Sequence, residues 1–445
     1  MALSSPGTGP EAGPETGPET GSEAGLGPRT DTATGTATSP RATGSASEPR
    51  PTRGLLSLLL AGNTAMYALY IGVPGLLLAL QIEDIDPANK VANFGLVSGV
   101  SAIFATVFNP VAGALSDRSG RRNPWILGGG LLAIPVMFLL GSVHTILLVM
   151  IAWCLGQAVM NIYQAAITSV VPDRVPLASR GKASAAVGLG LPIGSTVGAL
   201  IGAAFSENYR TGYLVFGVIV AATAVLFTTC APERRMPAKA PLPVKQQIAA
   251  FGSALRDHDF RWAFIGRALL VLGYFAVAGF QLYILKDHTD LPGGLSPEEA
   301  VAILMPVNSV AMVVSTVLGG WLSDRYDRRK LFVGASAALA AVALVIPAVS
   351  TSWTAMLVFS VVNGLGFGCY MAVDTALVTM VLPKAEDAAR DMGVLNVANA
   401  GPQIVAPFVA SLIVSLSGGY TALFVVAAVL SVLGALAVRP IRTVR

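Results

Sequence analysis

The sequence predicts an all-α integral membrane protein of twelve transmembrane helices, arranged as two six-helix halves in parallel repeat. Three observations carry this. Of 445 residues, 53% are hydrophobic and only 12% are charged, whereas soluble proteins carry about 25% charged residues. Twelve apolar runs have roughly the 20 residues needed to cross a hydrocarbon core. Landmarks of the first half recur 207 to 211 positions later: Asp117 and Asp324, Pro172 and Pro383, Pro192 and Pro402, and the Gly-Tyr pairs at 212 and 419.

The chain begins with a tail, residues 1–53, of Gly, Pro, Thr, Ser, Ala and Glu that contains the near-repeat GPEAGPETGPETGSEAG. Such a segment buries too little apolar surface to offset its ordering entropy, so it reads as a disordered, inert cytoplasmic tail. It has neither the apolar core nor the cleavage site of a signal peptide. Six apolar runs follow within 54–229, with limits near 54–81, 91–115, 125–143, 145–171, 183–204 and 211–229. A cytoplasmic linker, 230–261, separates them from six more within 262–438, near 262–285, 301–322, 331–349, 354–382, 392–414 and 420–438. Residues 439–445 form a short cytoplasmic tail. A duplication of this kind holds a solute between two halves near the bilayer midplane.

Basic residues stay on the cytoplasmic side during insertion. With twelve spans and both termini on that side, 26 of the 29 Lys and Arg residues fall there, leaving Lys90, Arg210 and Lys286 outside. The formal charge of +4 therefore reflects topology, and a nucleic-acid partner is not expected. The expected setting is a cell membrane, with the lipid bilayer, a small solute and a coupling ion as partners and a monomer as the working unit. Three cysteines, Cys154, Cys230 and Cys369, indicate neither a disulfide framework nor a metal cluster. All three histidines lie outside the spans, and no phosphate loop, dinucleotide fingerprint or zinc spacing occurs. No enzyme activity and no cofactor are expected; an ion gradient of protons or sodium supplies the energy.

GALSDRSGRR (113–122) follows the second run, and GWLSDRYDRRK (320–330) follows the eighth. Duplication explains the recurrence, and the arginines fix the side. The spacing G-x-L-S-D-R-x-x-R-R/K, present twice at equivalent places, resembles the loop signature of the major facilitator superfamily, and the likeness covers residues 54–438. The resemblance implies that Asp117, Arg118, Arg121 and Arg122, with Asp324, Arg325, Arg328 and Arg329, form a cytoplasmic gate that stabilises the outward-facing state and breaks during the switch. Enforcing topology is the plainer role for the same charges.

Within the twelve runs only Arg267 and Asp374 are formally charged. Ionisable groups in hydrocarbon are costly and mark functional candidates. Asp374, nine residues before Pro383, is expected well inside the bilayer, where it binds a proton, pairs with a base, hydrogen-bonds solute or locks helices. Arg267 is a second coupling candidate, or it snorkels to the cytoplasmic interface. Uncharged polar groups supply a candidate cavity: Asn63, Tyr67 and Tyr70 on span one, Gln157, Asn161 and Gln164 on span four, Tyr274 and Gln281 on span seven, Asn308 on span eight, Asn363 and Tyr370 on span ten, and Asn396, Asn399 and Gln403 on span eleven. Three sets share a helical face: Tyr67 with Tyr70, Gln157 with Asn161 and Gln164, and Tyr370 with Asp374. Helix-to-helix bonding is the plainer reading for any one of them, while spans one, four, seven and ten line the central cavity in the resembling superfamily. Gly190, Gly194, Gly198 and Gly202 form a ridge on span five that suits close packing, including a sliding contact between halves.

Three segments, 109–129, 260–285 and 373–407, look like the sugar:cation symporter branch, which implies proton-driven uptake of a glycoside or other hydroxylated solute. That branch commonly has an acidic residue on span one, where this chain has Asn63. Proton-coupled efflux of a drug or metabolite is the rival, although span four lacks the arginine usual in such antiporters. A transport-dead sensor on a carrier fold is a third possibility.

Overall fold

The computed structural model describes residues 54–176, 179–233, 255–380 and 388–442, without side-chain detail at several positions between 375 and 396. The N-terminal tail, most of the linker and the last three residues lie outside the described residues. Ends are named below by the side that the Lys and Arg distribution assigns.

Span one is Leu55–Ile85, two Lys90–Ser119, three Asn123–Ser142, four Ile146–Arg174, five Arg180–Ala204 and six Tyr209–Cys230. Span seven is His258–Ala278, broken at Gly279 and Phe280 and resumed over Gln281–Asp287. Span eight is Pro297–Tyr326, nine Arg329–Val349, ten Trp353–Met380, eleven Ala388–Ser417 and twelve Thr421–Ala437. Eleven of these helices, among the described residues, are long and apolar enough to cross a membrane, and the twelfth has 17 residues, near the lower limit of a span.

Several helices outrun their charge-free limits. Span two ends at Ser119 and span eight at Tyr326, so both LSDR stretches form a last helical turn rather than a loop. Arg118 and Arg325 sit in those turns, where a cation meets the negative end of the helix dipole. The residue closing each turn is left-handed, Gly120 with φ 62° and Asp327 with φ 48°. Asp is among the few side chains that tolerate this backbone.

Span one contains one wide turn, Val73–Leu77, in which Pro74 brings no N–H to the ladder. Its lower part lies against the glycine ridge of span five. A Cβ on Gly198 would stand 2.5 Å from the Ala68 carbonyl oxygen, and one on Gly194 2.8 Å from that of Thr64. The ridge therefore serves packing within one half. Across the halves, span five instead presents Ser195, whose hydroxyl bonds that of Ser309 on span eight at 2.9 Å.

The second half repeats the first in packing as well as in sequence. Span one lies against five and six, two against four, and three against four and six; correspondingly seven lies against eleven and twelve, eight against ten, and nine against ten and twelve. Side-chain bonds recur at the same offset. Gln81 Nε2 donates to Leu140 O at 2.8 Å, and His288 Nε2 meets Pro347 O at 2.9 Å, both partners shifted by 207 positions. Asn109 bonds Asn161 on span four at 2.8 Å, while Thr316 bonds Gly368 O on span ten at 3.1 Å, again 207 positions on. The halves meet along span two with eleven and five with eight. Large apolar side chains such as Val317, Val349 and Leu416 stand exposed on the perimeter, a surface suited to lipid.

Candidate functional site

At the outer ends the two halves are tied directly. Tyr283 of span seven donates its hydroxyl to Ala79 O of span one at 2.8 Å. Phe94 of span two packs edge-on against Phe280 and Tyr283, with ring centroids 5.2 and 5.6 Å apart. Above this seal lies an ion cluster. Lys90 pairs with Glu83 at 3.0 Å and with Asp287 at 2.8 Å, while Lys286 pairs with Glu83 at 2.8 Å and Glu298 at 3.2 Å. Two of those four pairs, Lys90–Asp287 and Lys286–Glu83, join one half to the other. The Tyr420 hydroxyl, on the repeated Gly-Tyr pair, donates to Asp287 at 3.1 Å, as Tyr213 donates to Gln81 in the first half at 2.8 Å. In the adjoining loop the Asn89 side chain hydrogen-bonds Asp86 and holds its carboxyl below the usual carboxylate range.

None of these five charged residues was a sequence candidate, because each reads as an ordinary loop charge. A signal existed: Lys90 and Lys286 are two of the three basic residues that the charge distribution leaves outside.

At the cytoplasmic ends the named ion pairs stay within one half. Buried Arg122 pairs with Asp117, with Asp173 of span four at 2.9 Å, and with the Ser116 hydroxyl at 2.6 Å. Arg174 pairs with Glu233 at 2.9 Å, and Glu233 also accepts the backbone N–H groups of Arg122 and Asn123. In the second half Arg329 pairs with Asp324 at 3.1 Å in a more exposed position. Arg118, Arg121, Arg325 and Arg328 are exposed; Arg325 lies over the Trp321 ring. The two arginines adjacent to span three and span nine, rather than all six, hold their aspartates.

Inside the bundle, Arg267 and Asp374 meet. Arg267 Nε donates to Asp374 Oδ2 at 2.6 Å, its Nη2 pairs with the same oxygen, and Tyr370 interacts with both. Arg267 is 9% exposed and Asp374 2% exposed, so Arg267 does not snorkel. Span seven starts at His258, which sets Arg267 about 13 Å along the helix. Asp374 lies about 31 Å from the outer start of span ten, in the cytoplasmic half of that helix.

The uncharged candidates form separate groups rather than one ring. Tyr70 donates to Gln164 at 3.3 Å, and Asn161 Nδ2 donates to Gln157 O at 2.8 Å. Asn63 is fully buried and donates to Leu59 O at 2.8 Å, while its Oδ1 has no partner among the described residues. Tyr67, half-buried, packs beside the glycine ridge. Gln403 donates to Asn399 O at 3.0 Å, and the Asn396 side chain lies outside the described residues. In the second half Tyr274, Gln281, Asn308 and Asn363 line one cavity of about 40 Å³ with Ser360 and Met305. That is room for a few waters or one small polar group. Tyr274 stacks on Phe367 at 3.8 Å between centroids, fixing its wall.

A twelve-helix bundle built from two packed repeats, with ionic ties between its halves, defines a membrane carrier. The chain belongs to the Major Facilitator Superfamily, whose profile matches residues 54–297 and 292–444. It is similar to the MFS transporter asaE of Aspergillus flavus, 24% identical over 340 residues that take in 73% of this chain and 72% of that one. Over 170 residues it is 28% identical to the multi-drug resistance efflux pump PmrA of Streptococcus pneumoniae, covering 36% of this chain and 42% of the pump. Among solved structures, a peptide transporter with bound sulfate superposes with a TM-score of 0.71 at 14% identity, covering 87% of this chain and 94% of that one. A bacterial homologue of the human lysosomal transporter Spinster, inward-facing and unoccupied, superposes at 0.63 and 16% identity, covering 87% and 95%. The protein is thus a multi-pass membrane transporter of this superfamily.

Proposed function

We propose that the protein is a proton-coupled secondary carrier of a small hydroxylated solute, with both termini cytoplasmic, and that it is captured here closed on its outer side. The observation that carries the coupling role is the buried Arg267–Asp374 pair with Tyr370 beside it. A charge pair removed from water is retained when it does work, because one partner left alone is strongly disfavoured. Protonation of Asp374 cancels its attraction for Arg267 and frees span seven from span ten. One hydroxyl of the solute is read at the small pocket where Tyr274, Gln281, Asn308 and Asn363 meet a largely apolar lining.

Efflux of an amphipathic compound is the second reading. It is favoured by the first half, where Tyr70 bonds Gln164 and Asn109 bonds Asn161, so that these polar groups are taken up by one another, and by the pump among the relatives.

Reconstituted vesicles with an imposed pH gradient and a solute panel test both. Asp374→Asn abolishes uphill accumulation and preserves solute exchange; full uphill transport by that variant removes Asp374 from coupling. The direction of proton-driven flux separates uptake from efflux.

A further inference from the structure

Spans nine and twelve leave a groove of about 720 Å³ at their cytoplasmic ends. Leu331, Gly334 and Ala338 form one wall, and Val432, Ala435 and Leu436 the other. The groove exists because its walls are poor in side chains. A Cβ on Gly334 would meet only the Ala435 carbonyl oxygen, at 4.0 Å. Lys330 Nζ donates to Arg439 O at 2.6 Å and Ile441 O at 2.7 Å, tying the start of span nine to the end of span twelve.

Three cations, Arg328, Lys330 and Arg439, converge on its mouth. Arg328 and Arg439 are exposed and make no ion pair among the described residues. Neighbouring acids are engaged elsewhere or outnumbered: Asp324 holds Arg329, and Asp259 accepts from Arg442 N and meets His258, which leaves Asp327 beside Arg328. The first turn of span nine has no side-chain cap, so its N–H groups add positive potential. Leu331, Val432 and Leu436 are exposed apolar groups just below these charges.

We propose that this groove binds one anionic phospholipid of the adjoining leaflet. Its phosphate sits among Arg328, Arg439 and the remaining N–H of Lys330, and an acyl chain runs along the Gly and Ala wall. Basic pockets between helices at this membrane level recognise acidic headgroups. A free phosphate would satisfy the cations yet leave the apolar walls uncovered, whereas a lipid covers both. The site shares no residue with the coupling pair or the pocket of Tyr274; of the cytoplasmic motif arginines only Arg328 borders it, and that residue makes no ion pair among the described residues.

Native mass spectrometry of protein released from mixed phosphatidylcholine and phosphatidylglycerol bilayers counts retained lipid. Wild type keeps one phosphatidylglycerol in preference to phosphatidylcholine. Arg328→Gln/Arg439→Gln retains about 30-fold less, the effect of two cations near a lipid surface. Gly334→Leu keeps every cation but fills the slot, and it also sheds the lipid. Arg121→Gln/Lys182→Gln removes equal charge from the other half and retains it. Equal loss in that control would reduce the site to diffuse attraction and overturn the proposal. So would retention by Gly334→Leu together with displacement by soluble glycerol phosphate, which would identify a bare anion site. Size-exclusion profiles confirm that each variant is folded.

Discussion

The outer and cytoplasmic ends of this bundle use similar charges in opposite ways. Outside, Lys90 and Lys286 reach across to Asp287 and Glu83 of the other half. At the cytoplasmic end, Arg122, Arg174 and Arg329 turn to aspartates and a glutamate of their own half. In the proposed cycle, ties between halves set which face is shut, and ties within a half hold each six-helix body together while the face changes. The proposed alternating access needs both kinds, and among the described residues the named ion pairs separate them by end.

The comparison can be broken most severely at the aromatic seal. Phe94→Ala removes a buried ring from the outer closure at a cost of about 3 kcal/mol, so populations shift toward the outward-open form on the order of a hundred-fold. Spin labels at positions 88 and 293, in a background lacking the native cysteines, report it as a longer distance. Next comes the contrast between the two LSDR copies. Asp117→Asn disturbs buried Arg122 and costs about 2 kcal/mol of thermal stability, whereas Asp324→Asn, at the exposed pair, stays within about 0.5 kcal/mol. Equal losses in the two unfolding scans would erase the asymmetry. Glu83→Gln/Lys90→Gln deletes both ionic bridges between halves and leaves Lys286–Glu298 intact, giving roughly a ten-fold shift in the same spin-label distance. The smallest effect is salt. At about 1 M the screening length falls to about 3 Å, which loosens the partly exposed outer cluster a few-fold and leaves the buried Arg267–Asp374 pair unchanged.

Much of the architecture was readable in advance because a span must be long and apolar, and because a duplicated chain repeats its punctuation. The 207-residue offset between the LSDR motifs reappears as hydrogen bonds at Gln81 and His288. Arg267 and Asp374, the two charges inside the predicted spans, turn out to be each other's partners, and Arg267 is buried against Asp374 instead of reaching for the interface. The outer cluster was hidden by distance along the chain. Glu83 and Lys286 are 203 positions apart, and only folding shows that they face each other. Helical spacing and placement on spans one, four, seven and ten nominate the polar residues of spans one and four, but spacing does not show which of them bond the next helix, as Tyr70 does to Gln164.

One surplus residue in the coil of span one, at Val73–Leu77, rotates everything beyond it by about 100°. Gln81 is thereby committed to spans three and six, and Glu83, half a turn on, looks toward the opposite body. Pro74 brings no N–H to the ladder there, and span five holds the turn as well as the segment below it, since a Cβ on Gly202 would stand 2.7 Å from Leu76 Cδ1. Deleting a single residue there would keep the helix and rewire its allegiance, turning the Glu83 carboxylate away from Lys286.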